Sequence, residues 1–91
     1  NIEASSGFRA LAAEMGISTS GLAIAWLLAQ GDHVLPIPGT RSVAHLNELA
    51  AGVDLRLSTT DLAAIESVLP IGWCHGDRYA HGQWKGPEKY C

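Results

Sequence analysis

The chain is poor in cysteine, in aromatic residues and in charge. Its two cysteines, Cys74 and Cys91, both stand in the last fifth of the 91 residues, with no C-x-x-C pair and no even spacing. That excludes the disulfide framework that staples small secreted domains, and a reducing, cytoplasmic setting is expected. Lys and Arg together number 6 against 9 acidic residues, for a formal charge of -3. A basic stripe that would attract nucleic acid or anionic lipid is missing, so neither nucleic acid nor membrane is expected as a partner. No apolar run reaches the roughly 18 residues that a membrane-spanning helix needs. The longest, GLAIAWLLAQG at 21–31, makes only about three helical turns. A charged leader is missing too, and a chain that begins with Asn1 in place of Met reads as cut from something longer.

What is present is largely apolar, 47% hydrophobic by residue, which suits one small packed domain and argues against disorder. Phe8, Leu11, Ala12 and Met15 fall at i, i+3, i+4 and i+7, one helical stripe, and Gly16 stands where a glycine would close it. The spacing predicts a helix over 4–15. Ser18 is placed to cap a second helix over 20–30, so rich in Ala and Leu that most of its sides should be buried, with Gly31 and Asp32 ending it. The aliphatic stretch HVLPIP at 33–38 is too short for a helix and reads as a strand, although its prolines cannot donate ladder hydrogen bonds. Ser42 can cap a further helix over 43–51, closed by Gly52. STTD at 58–61 has capping-box form ahead of Leu62, Ile65 and Leu69, and Pro70 stops that helix. From Ile71 onward periodicity vanishes, and a tail with two Trp, both Tyr and four glycines reads as ordering only on contact. There is no internal repeat and no domain boundary before residue 70.

One strand and four helices leave that strand's backbone groups without a neighbour. Two readings stay open: an extended link in an all-helical domain, or the last unit of a larger α/β sheet.

The stretch LPIPGTRS at 35–42 carries the one chemical suggestion. The end of a strand leading into a helix N-terminus is where α/β folds collect anions. Gly39 allows close backbone approach, Thr40 and Ser42 supply hydroxyls, and Arg41 offers a planar fork of donors suited to phosphate. A plain turn with an N-cap and a solvated arginine would have the same letters.

From GISTSGLAIAWLLAQG through LPIPGTRSVAHLNELAAG to LSTTDLAAIESVLP, the chain resembles the C-terminal portion of the aldo-keto reductases. The resemblance covers about residues 1–80 and includes GDRY at 76–79, which is similar to the tail of that family's bacterial branch. It implies the end of a (β/α)8 barrel: the helix before the eighth strand, that strand over HVLPIP, the helices that follow within residues 1–70, and a C-terminal tail of the same domain over 71–91. It also implies an enzyme that reduces small aldehydes and ketones with NADPH, partnered here by the remainder of the barrel. Carried over position by position, Thr40 and Arg41 would hold the adenosine 2′-phosphate and Gly39 would make room for it. His45 stands where the family often has Arg or His, and Glu48 matches the acidic residue that meets the adenine amino group. The family's catalytic Asp, Tyr, Lys and His have no counterpart among these positions, so no catalytic residue is assigned; Tyr79 and Tyr90 match no such motif.

Two positions depart from the family pattern. Leu49 follows Glu48 where an Asn is usual, and Gly39 replaces a common Lys, which leaves more of the phosphate charge to Arg41 and puts the preference for NADPH over NADH in question. In the tail, Trp73 and Trp84 are candidates to cover the barrel mouth. Cys74, His75, His81 and Cys91 are zinc-competent, but their spacings match no ligand pattern and no metal site is expected. A different class of function is a DNA-binding helix-turn-helix over ALAAEMGISTSGLAIAWL, or a small helical interaction module. Against DNA binding, the second helix has no Arg, Lys or Asn to reach bases or phosphates.

Overall fold

The structure is a computed structural model that describes residues 1–76. The described residues form α1 (Ser6–Glu14), α2 (Thr19–Ala29), α3 (Val43–Asp54) and α4 (Thr59–Val68). The segment 77–91 lies outside them, so the expectations for Tyr79, His81, Trp84, Tyr90 and Cys91 do too.

Several helix ends have a local chemical cause. At the end of α1, Gly16 adopts φ 71°, the left-handed conformation that glycine enters without steric cost. Its N–H reaches the Ala13 carbonyl at 3.1 Å, and that of Ile17 reaches Ala12 at 3.1 Å, the paired bonds of a Schellman turn. Ser18 then caps α2 by accepting from the Gly21 N–H at 3.0 Å, so the chain turns through 91° between the two helices. The capping box of α4 is complete: Asp61 N–H donates to Ser58 Oγ at 3.1 Å, and Ser58 N–H donates to Asp61 Oδ2 at 3.0 Å. Leu69 leaves the helical region at φ -135° and ψ 76°, in keeping with its place before Pro70.

Side-chain packing joins α1, α2 and α4. Phe8, Ala12, Leu22 and Ile65 form the buried cluster, with Leu11, Met15, Trp26, Leu57 and Leu69 packed around it. The stripe of α1 and the Ile65–Leu69 face of α4 therefore face each other as their spacing predicts. In α2, Gly21, Leu22, Ile24 and Ala25 are buried, which accounts for a helix with almost no polar face. It also answers the helix-turn-helix reading: the angle between α1 and α2 suits that motif, but the would-be recognition helix spends its side chains on the core.

The contact between α2 and α3 is of another kind. A Cβ on Gly52 would run into the Gly21 carbonyl, and one on Gly21 would come within 2.8 Å of the Glu48 carbonyl. Backbone thus packs on backbone. Gly52 was expected to close α3, yet the helix continues through it to Asp54. Its missing side chain serves helix contact, not termination.

The expected strand is the second correction. Among the described residues there is no strand; residues 34–40 run without regular structure, and Leu35 and Ile37 are 85% and 90% exposed. A ladder needs a neighbouring chain, and Pro36 and Pro38 have no N–H to give one. The barrel portion expected over residues 1–70 is therefore seen as four helices with an extended connection. Finally, the Asn1 side-chain amide clasps the main chain of His75, donating to its carbonyl at 2.6 Å and accepting from its N–H at 2.8 Å. No single helix among the described residues is long and apolar enough to cross a membrane.

Candidate functional site

The connection from 34 to 42 delivers its polar residues to the N-terminus of α3. There Gly39, Thr40, Arg41, Ser42 and His45 line an open cleft of about 650 Å³. Ser42 sets the entry: its Oγ accepts from the His45 N–H at 3.1 Å and so fixes the first turn of the helix. Thr40 braces the loop from the other side, its Oγ1 donating to the Ser42 carbonyl at 3.2 Å and accepting from the Ser42 N–H at 3.4 Å. These short-range bonds fix the main chain from Thr40 to His45, whose side chains line one space.

The donor set fits a phosphate monoester. Arg41 supplies a planar, permanently charged fork and His45 a ring nitrogen, and the Thr40 hydroxyl can join them if it turns its one proton away from the Ser42 carbonyl; all three residues are exposed to solvent. The first N–H groups of a helix, which lack intrahelical partners, add positive potential at the same end. A Cβ on Gly39 would meet nothing within 4 Å, so the glycine leaves open space beside the arginine.

Of the residues the sequence nominates, the structure brings together Gly39, Thr40, Arg41 and His45. Glu48 is not in the lining; it lies one helical turn beyond His45, its side chain exposed. Ser42 belongs to the cleft wall as well as to the cap. In the tail, Trp73 is half-buried, tied by its N–H to the Pro70 carbonyl at 3.1 Å, and Cys74 is an exposed free thiol. Among the described residues no three His, Cys, Asp or Glu side chains gather as a metal site would require.

Comparison with known proteins agrees with the motif reading. The chain is 41% identical over 68 residues to "Probable aldo-keto reductase 1" of Glycine max, which covers 70% of this chain and 20% of that protein. It is 35% identical over 82 residues to "Aldo-keto reductase yakc" of Schizosaccharomyces pombe, whose name includes NADP(+), covering 90% of this chain and 24% of that protein. The chain thus spans a quarter or less of the length of these curated relatives. No solved structure matches it significantly. The family model described as "Aldo/keto reductase family" matches residues 1–70, from before α1 through the cleft to the end of α4. With most of its length matched, the chain belongs to the aldo/keto reductase family.

Proposed function

We propose that this chain is the C-terminal barrel portion of an NADP(H)-dependent aldo-keto reductase, and that its cleft binds the adenosine 2′-phosphate of the coenzyme. In this reading Thr40, Arg41 and His45 hold the phosphate, Gly39 leaves room for it, and Glu48 lies further along α3 toward the adenine amino group. Residues 1–70 are the barrel segment and 71–91 a tail of the same domain. HVLPIP, residues 33–38, would become the eighth strand only where the strands of the remaining barrel pair with it. The bound dinucleotide supplies hydride to a small aldehyde or ketone. This chain's own residues bind and orient its adenosine end, and none is assigned a catalytic role.

The observation that carries the proposal is the convergence of Thr40, Arg41 and His45 on one cleft at the start of α3, in a chain of this family. A relative with NADP(+) in its name supports the choice of coenzyme. The test is a fluorescence titration of the intact protein with NADPH and with NADH, for the parent and Arg41→Ala. Loss of a charged contact to the phosphate should weaken NADPH binding about tenfold or more, the equivalent of about 1.4 kcal/mol, and leave NADH within about twofold. Equal loss for both coenzymes, or none for either, overturns the assignment.

A further inference from the structure

The cleft combines one side chain that is always charged, Arg41, with one whose charge depends on pH, His45. Resting on the reading of this cleft as the 2′-phosphate site, we infer that His45 makes the choice between phosphorylated and unphosphorylated coenzyme depend on pH.

Arg41 lines the same cleft as His45 from the connecting loop, and Glu48 follows His45 by one turn on α3. The helix packed against α3 is α2, and its sequence TSGLAIAWLLA has no titratable side chain at all. Of the other charged or titratable residues of this stretch, Asp32 and His33 precede the connecting loop, and Asp54 and Arg56 stand at and just beyond the far end of α3. A phosphate dianion bound in the cleft would add a negative charge beside the imidazole.

The sign follows from linkage. Histidine in general titrates near pH 6.5, and a neighbouring anion favours its protonated form. A ligand that prefers the protonated ring binds more tightly as pH falls, and the advantage is lost as pH rises through the value the ring has in the complex. The phosphate works in the opposite direction at the acid end, since its second proton is taken up at about pH 6. NADPH affinity should thus rise as pH falls from about 8.5 to about 6.5 and gain nothing further below. The gain should be about fivefold, the scale of a solvent-exposed charge pair. NADH has no 2′-phosphate and should bind with little change across the same range.

The experiment measures dissociation constants of NADPH and NADH for the intact protein between pH 6 and 8.5 at low ionic strength, in the parent, His45→Arg, His45→Gln and Arg41→Ala. The inference expects the slope with NADPH alone in the parent. It expects tight NADPH binding at every pH in His45→Arg, and weak, nearly flat binding in His45→Gln. A parent slope that survives in His45→Gln overturns it. If Arg41→Ala keeps the NADPH preference, the 2′-phosphate reading itself has failed. If Arg41→Ala abolishes the preference while His45→Gln keeps the slope, only the role of His45 has failed.

Discussion

Helices α1, α2 and α4 meet through side chains, whereas α2 and α3 meet through main chain. In the first region Phe8, Ala12, Leu22 and Ile65 interlock and exclude water. In the second, Gly21 and Gly52 remove the side chains that would keep two helices apart, while Val43, Leu46 and Val53 stay on the exposed surface of α3. The two contacts respond differently to change. A side-chain core weakens when atoms are taken away, and a glycine contact weakens when atoms are added. The cleft sits on the helix held in the second way, so the position of Arg41 and His45 depends on what Gly52 lacks.

Taking atoms from the core should have the largest effect on stability. Leu22 is fully buried, and Leu22→Ala should cost about 2–5 kcal/mol in urea denaturation of the intact protein, by lost transfer energy and the cavity left behind. A cost below about 1 kcal/mol would mean that this core does not hold the segment together. Next comes Gly52→Ala. Helix propensity alone would make it stabilising by about 1 kcal/mol, but the new methyl meets the Gly21 main chain, and forcing the helices apart should turn the sign to a loss of about 1–3 kcal/mol. Gly39→Ala, where an added methyl meets nothing, is the control and should change stability by less than about 0.5 kcal/mol. A stabilised Gly52→Ala protein would erase the contrast between the two contacts. The smallest effect sharpens it: Ser58→Ala removes one half of the reciprocal cap of α4 and should cost about 1 kcal/mol, leaving coenzyme affinity at the α3 cleft unchanged.

Those two regions were also unequally legible in the sequence. The stripe of Phe8, Leu11, Ala12 and Met15, the cap at Ser18 and the box at Ser58 and Asp61 are local codes, each written within about one helical turn or two, and the structure has all of them. Gly52 was misread because glycine has two uses, ending a helix and admitting a neighbour, and only the partner, 31 positions earlier at Gly21, tells them apart. HVLPIP was read as a strand because its composition is that of one, but a strand is a property of two segments and the described residues contain only one of them. In the cleft, Gly39 to Ser42 are adjacent in sequence and His45 is one turn on, so a local motif was enough to collect them. Glu48 shares the helix of His45 but not the cleft, because it lies a turn further along α3 on the same face.

The clasp of Asn1 on His75 has a consequence in the order of events. It turns 75 residues into a ring closed by only two hydrogen bonds, and the entropy of drawing ends together rises with the logarithm of the length between them. Two exposed bonds cannot meet that cost from an open chain, but they can once four helices have shortened the path. The latch should thus open more readily than the helix contacts beneath it, so that the His75 amide exchanges its hydrogen faster than the buried amides of α2.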